Sequence, residues 1–291
     1  MLMQILEFSL IGVASGGIYV LAALSFVIVY KATNIFNFAT GEMMMFGTYL
    51  FFMFDTQLGF GWIAGLAAAL IGSACLAMVL ERGLLRPLIG RPAVVLVMVT
   101  LGVSSILRGF AGLIWGPDVR QLTEILPRNP IFLGDILIPG KLAWGFVIIG
   151  LIAGAFMAYY RFSRAGTAIR ATSTDQVTAE SLGINIRAVF LLSWALAGVL
   201  TAASGIITAS VNGVTPQLGQ VALNVLAVVM LAGMTSVGGV VIAGLFVGWL
   251  ETMVGAYLGA SWQSFIPYLV VLLVMLVKPT GLFGERRIER I

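Results

Sequence analysis

The stretch Val94-Val-Leu-Val-Met-Val-Thr-Leu-Gly-Val103 decides the fold class. It is apolar at almost every position. A half-buried strand, or a strand in a membrane barrel, alternates apolar and polar residues with period two. Tyr268-Leu-Val-Val-Leu-Leu-Val-Met-Leu-Val277 reads the same way. Similar runs recur along the chain, and several reach the roughly 20 residues that a helix needs to cross hydrocarbon. The 291 residues are 60% hydrophobic and only 10% charged, against about 25% charged in soluble domains. A soluble core could not hide that much apolar surface. Lipid can, provided that the backbone satisfies itself in helices or a closed barrel. The missing alternation leaves helices, so the chain is expected to be all-α, a polytopic bundle forming a single transmembrane domain over 1–291.

Working outward from 94–103, apolar runs place spans at about 5–30, 34–54, 61–81, 93–115, 141–161, 187–212, 221–235, 240–256 and 262–278, with end errors of about two to four residues. The last three are short, so the expectation is eight or nine crossings. Lys and Arg in short loops set the orientation. Lys31, Arg82, Arg86, Arg91, Arg161, Arg164, Arg170, Arg187, Lys278, Arg286, Arg287 and Arg290 fall on one side, which is twelve of the sixteen basic residues. Arg120, Arg128 and Lys141 fall on the other, and Arg108 lies within a span. The richer side is expected to be cytoplasmic, with the N-terminus periplasmic and the C-terminus cytoplasmic. Glu7 is the only charged side chain before Lys31, so the first run lacks the positive n-region of a cleavable signal and reads as a retained span.

Composition also excludes function classes. The net charge of +4 sits at span ends and not along one stripe, which argues against nucleic acid. There is no histidine, which removes His-based metal sites and Ser-His-Asp triads. The single Cys75 lies in an apolar run, so there is no disulfide framework. No Gly-x-x-x-x-Gly-Lys-Ser/Thr loop is present, so the chain does not hold ATP in that way.

Three segments carry polar information. Arg164–Asn185 is too polar to span. In it Asp175 suits a helix N-cap and Gly183 the left-handed position after a short helix. Such a helix is too short to stand alone in water, so it rests on a soluble partner or on lipid headgroups. Asn34-Ile-Phe-Asn-Phe-Ala-Thr-Gly-Glu-Met-Met-Met-Phe-Gly47 interrupts an apolar stretch. Asn37, Thr40, Gly41 and Glu42 either line a pathway or its gate, or form an interfacial turn with Glu42 capping the next helix. Gly233, Thr235, Ser236, Gly238 and Gly239 form a glycine-rich turn, with Gly244 and Gly248 a small-xxx-small pair beyond it. This segment distantly echoes 41–47 and is read as a second part of the pathway. Arg108 and Glu251 are ionisable groups inside spans. Either could face a cavity or pair internally, and Glu251, near the outer end of its run, is read first as a snorkelling side chain. The proline-rich loop 116–140 is either a docking surface for an extracytoplasmic partner or a plain connector.

Together these segments resemble the branched-chain amino acid ABC-transporter permeases, the LivH/LivM family. The resemblance covers nearly the whole chain. Gly17-Ile-Tyr-Val-Leu-Ala-Ala-Leu24 is similar to the family's Gly-x-Tyr-Ala-Leu opening, and Asn37-Phe-Ala-Thr-Gly-Glu42 to its Asn-Phe-Ala-His-Gly-Glu/Asp signature. Leu80-Glu-Arg82, Arg86-Pro87, Gly116-Pro-Asp-Val-Arg120 and Lys278-Pro-Thr-Gly-Leu-Phe-Gly284 follow in family order. The resemblance implies a non-enzymatic subunit of the bacterial inner membrane that pairs with a second homologous permease. It further implies two cytoplasmic ATPase subunits, which bind the ATP, and a periplasmic substrate-binding protein. No cofactor is implied in this chain. The cytoplasmic loop, 162–187, would be the coupling element, with Arg164, Gly166, Arg170, Asp175, Ala179 and Gly183 organising it. Thr40 stands where the family has histidine, and Val177-Thr178 replace the Glu-Ala of its coupling motif. Branched-chain amino acids are the expected solute. Urea, short amides or aromatic acids are alternatives within the class, and a stand-alone channel or ion-coupled carrier is the rival outside it.

Overall fold

The computed structural model describes residues 2–134 and 136–284. Arg286, Arg287 and Arg290, counted above with the cytoplasmic side, lie outside the described residues. The helices are α1 (Leu2–Thr33), α2 (Thr40–Phe52), α3 (Trp62–Leu80), α4 (Ala93–Trp115), α5 (Gly140–Phe162), α6 (Arg164–Thr174), α7 (Gln176–Ser181), α8 (Ile186–Asn212), α9 (Val221–Ala232), α10 (Val237–Leu258) and α11 (Ala260–Val277). Strands β1 (Ile131–Leu133) and β2 (Ile136–Ile138) form a small antiparallel hairpin between α4 and α5. Seven helices among the described residues are long and apolar enough to cross a membrane: α1, α3, α4, α5, α8, α10 and α11. The chain is an all-α polytopic membrane protein.

The other two apolar helices are broken in instructive ways. The expected span 34–54 is not helical throughout: helix begins only at Thr40 and runs on through a wider π turn, Met53–Gln57. The cause is Asn34, which takes a left-handed backbone (φ 55°) after α1, a conformation asparagine tolerates and β-branched residues do not. Its N–H donates to the Tyr30 carbonyl at 2.7 Å, closing α1. Helix α9 is led in by a tight 3-10 turn, Pro216–Gln220, where proline fits because the first N–H groups of a helix lack partners.

Helix α1 is the spindle of the bundle. In its most apolar window 78% of residues are buried by other parts of the chain, against 11% for α11. Apolar side chains gain little from each other in lipid, so helices associate through close backbone approach. Here the approach is a crossed pair of small-residue motifs. Gly12 and Gly16 on α1 meet Gly244 and Gly248 on α10. A Cβ on Gly16 would sit 2.8 Å from Leu245 Cα, and one on Gly248 would run into the Gly16 backbone. Helix α8 closes on α1 through Ser204, whose Oγ donates to the Ile18 carbonyl at 3.1 Å. It closes on α3 through Gly198, set against the backbone of Ser73. Helices α3, α4, α5 and α11 form the rim and turn apolar faces outward.

One end of the bundle carries α6 and α7, and the other carries the hairpin. At the hairpin end, Arg120 and Val214 exchange backbone hydrogen bonds of 2.9 and 2.7 Å. That bridge ties the loop after α4 to the connection between α8 and α9.

Candidate functional site

The polar groups inside the bundle gather where α2 and α9 begin. After Asn34 the chain turns back into the bundle without regular structure as far as Thr40. Asn37 then starts α2: its Oδ1 accepts the Ala39 N–H at 3.0 Å, and its carbonyl accepts the Thr40 hydroxyl at 2.7 Å. Asn37 and Thr40 are both buried and engaged in this turn. Gly41 packs on the lead-in turn of α9, where a Cβ would strike the Gly219 carbonyl. Two helix starts therefore meet inside the bundle, α2 opening on the Asn37 turn and α9 continuing the 3-10 turn that accepts the Val221 N–H.

Glu42 lies at this junction. Its carboxylate packs against Gly219, where an added Cβ would sit 2.9 Å from Oε1. The Glu42 side chain is 3% exposed and forms an ion pair with Arg108 of α4, which is 48% exposed. A glutamate in the first turn of a helix is favoured by the helix dipole, and the guanidinium pairing removes the cost of an isolated buried charge. Among the described residues Glu42 is the side chain paired with Arg108, whose open side presents a guanidinium fork suited to carboxylates. A half-open arginine away from both ends of an otherwise apolar helix is costly against lipid.

A second chain of polar groups flanks α9. Tyr19 of α1 donates to Glu251 Oε2 of α10 at 2.6 Å, and accepts from Asn224 Nδ2 of α9 at 3.2 Å. Tyr268 of α11 donates to Asn224 Oδ1 at 3.1 Å. Glu251 is 5% exposed, so the snorkelling expected of it is corrected: the carboxylate turns into the bundle because Tyr19 meets it there. No spacing in the sequence signals this network, whose members are contributed by four helices. A lone acid on an apolar helix was the only visible sign. Among the described residues no three His, Cys, Asp or Glu side chains converge as metal ligands would.

The glycine-rich turn is not brought to this junction. Gly233 (φ 92°) ends α9 at the α6–α7 end of the bundle. Ser236 caps α10, accepting the Gly239 N–H at 3.0 Å. Residues 278–284 tuck beneath: the Leu282 and Phe283 N–H groups donate to the Leu231 and Ala232 carbonyls, both at 2.9 Å. Gly233, Gly281 and Gly284 touch backbone to backbone. Thr235 lines a cavity of about 210 Å³ with Tyr30 and Met234, while Gly238 has open space around it.

The polar segment after α5 folds as two helices. Ser163 caps α6 by accepting the Gly166 N–H at 2.9 Å. Arg170 bends back to donate to the Tyr160 carbonyl, and to that of Arg161 at 3.2 Å, satisfying the frayed end of α5. Gly166 is required there, since a Cβ would run into the same Tyr160 carbonyl. Asp175 caps α7: Oδ1 accepts the Val177 and Thr178 N–H groups at 2.9 and 3.2 Å, and Oδ2 the Thr178 hydroxyl at 2.7 Å. The Thr178 hydroxyl, with these backbone donors, holds the Asp175 carboxyl below its ordinary range. Gly183 follows α7 in the left-handed region (φ 86°) and Ala179 is buried beneath it. Arg164 is exposed, and Val177 and Leu182 stand outward at 75% and 76% exposure.

A family model described as the permease component of branched-chain amino acid transport systems matches residues 9–275. The high-affinity branched-chain amino acid transport system permease protein LivH of Escherichia coli K12 is 27% identical, over 96% of this chain and 96% of its own. BraD of Pseudomonas aeruginosa, a permease protein of the same kind of system, is 26% identical over 96% of each chain. The autoinducer 2 import system permease protein LsrC of Escherichia coli is 29% identical over 76% of this chain and 70% of its own. No solved structure matches. With its model matched across nearly the whole bundle, the chain belongs to the family of branched-chain amino acid transport permease components.

Proposed function

We propose that this chain is one of two permease subunits of an ATP-driven importer that carries branched-chain amino acids across the bacterial inner membrane. The observation that carries the reading is the polar stratum inside an apolar bundle: Glu42 with half-open Arg108, and the Tyr19–Glu251–Asn224–Tyr268 chain. Such groups persist at membrane depth where a solute needs them. Paired helix N-termini at a discontinuity are the form that transporters use to meet charged solutes inside a membrane. The chain does no covalent chemistry in this reading; ATP belongs to the partner ATPases.

In the proposed orientation α6 and α7 face the cytoplasm and the hairpin faces the periplasm. Helices α2 and α9 add to the seven longer ones to give nine crossings. Helix α7 presents Val177 and Leu182 to an ATPase, and a substrate-binding protein docks at the hairpin end. The second, homologous permease covers the outward face of α4, which puts Arg108 on the route between the two halves.

The test is leucine uptake by proteoliposomes holding the full assembly. Deletion of 174–183, or Gly183→Pro, should abolish ATPase co-purification and uptake together. Retention of both by either variant would remove α7 as the coupling element.

A further inference from the structure

A cavity of about 200 Å³ opens beside Glu251 on the hairpin side of the polar stratum, inside this one chain. It is distinct from the Glu42–Arg108 pair, and none of its lining residues is basic. Glu251 Oε2 is held by Tyr19, but Oε1 has no hydrogen-bond partner among the described residues although the side chain is buried. A buried carboxylate oxygen without a donor calls for one. Two of the lining hydroxyls cannot supply it, which leaves Ser15 as the remaining aliphatic hydroxyl of the wall. Thr208 donates its proton to the Ser204 carbonyl at 2.7 Å, and Thr252 donates to the Gly248 carbonyl at 3.0 Å. The Thr208 and Thr252 hydroxyls thus offer the cavity only lone pairs. The wall around Glu251 thus sets an unpartnered carboxyl oxygen beside two acceptors whose own protons are spent, with Ser15, Asn212 and Gln263 completing its polar part.

We propose that this cavity receives the primary ammonium group of an aliphatic amino acid in transit. An ammonium carries three N–H donors and no acceptor, which matches Glu251 Oε1, Thr208 and Thr252. Ile18, Val211 and Val221 line the same cavity and give a branched aliphatic chain an apolar wall, which a bare metal ion would not use. Asn212 and Gln263, also lining it, bring amide N–H groups that suit a carboxylate. The inference rests on the permease reading for the identity of the solute, but the ammonium preference stands on the wall chemistry alone.

The probe is isopentylamine, with isopentanol as its neutral counterpart, added to the purified transporter while the melting temperature is followed. The amine should raise the melting temperature of the wild type and the alcohol should not. Glu251→Gln should keep the Tyr19 bond and the assembly, yet lose about tenfold or more in apparent amine affinity, the scale of one charge-assisted hydrogen bond. Thr208→Val and Thr252→Val, which leave Glu251 untouched, should each weaken it less. An equal response to amine and alcohol, an unchanged response in all three variants, or a shift produced by sodium alone would overturn the proposal. Leucine uptake is scored separately. Wild-type vesicles that take up no leucine but show Glu251-dependent amine binding would sink the transport reading and leave this site standing. Uptake with no amine response would do the reverse.

Discussion

At Gly41 an added methyl group would meet the Gly219 carbonyl and lie 2.5 Å from Ala222 Cβ. Neither neighbour is the far end of a flexible side chain, so the lead-in to α9 has to move. Gly41→Ala should cost about 1–3 kcal/mol through overpacking and suppress uptake, while Gly102→Ala, with nothing within 4 Å, should leave stability within about 0.5 kcal/mol. Thermal unfolding of the two variants side by side checks this. The Glu42–Arg108 pair gives a second residue-scale expectation. Arg108→Leu strands Glu42 and should cost about 2 kcal/mol, below the range for a fully buried pair because Arg108 is half open. Adding Glu42→Gln should recover most of that loss, and a double-mutant cycle measures the recovery.

Among the elements, α7 depends on one carboxylate. Asp175 accepts two backbone N–H groups and a hydroxyl, and its folded carboxyl titrates below the ordinary range. The cap therefore contributes fully above about pH 4, the unfolded value, and fades as pH falls through the lower folded value. Asp175→Ala should speed amide hydrogen exchange at Val177 and Thr178 at neutral pH, and Asp175→Asn should do so less; equal protection in all three proteins would deny the cap a role. At the far end of α9, the clasp from 278–284 offers the opposite case, in which backbone groups do the holding. Leu282→Pro removes the donor to the Leu231 carbonyl and should cost about 1–3 kcal/mol by leaving a buried acceptor unpaired, read by denaturation in detergent. These elements were unequally visible beforehand. Asp175 and Gly183 bracket α7 because capping and left-handed turns have residue signatures. Helix α6 passed unseen because its threonines, serine and glycine have little helical preference. It is held by Arg170 and Ser163 acting on the end of α5, a tertiary effect.

For the whole molecule, the apolar runs marked every long helix, since crossing hydrocarbon constrains composition locally. The site was legible only in part. Asn37, Thr40, Gly41 and Glu42 stood out as polar breaks, but their companion in space is Gly219 and not the glycine turn at 233–239, which lies at another level of the bundle. Which helix begins beside which depends on packing between segments far apart in sequence. The rim carries a further expectation. On α4, Gly102, Gly109 and Gly112 face open space together with Arg108, and under the proposed pairing a second permease fills it. Gly109→Leu should leave the isolated chain as stable as wild type yet weaken the permease pair, measured by light scattering after size exclusion. An undiminished pair would place that face against lipid.

The burial of α1 has a consequence for how the chain is made. Its neighbours α8 and α10 begin at Ile186 and Val237, so α1 leaves the ribosome long before they exist. Domains emerge at about 5–20 residues per second, which leaves α1 waiting on the order of ten seconds before its sheath arrives. During that interval Gly12, Gly16 and Tyr19 lack the α10 surface that receives them in the folded chain. Helix α1 is thus made well before the helices that enclose it, and its burial is completed only when α10 arrives.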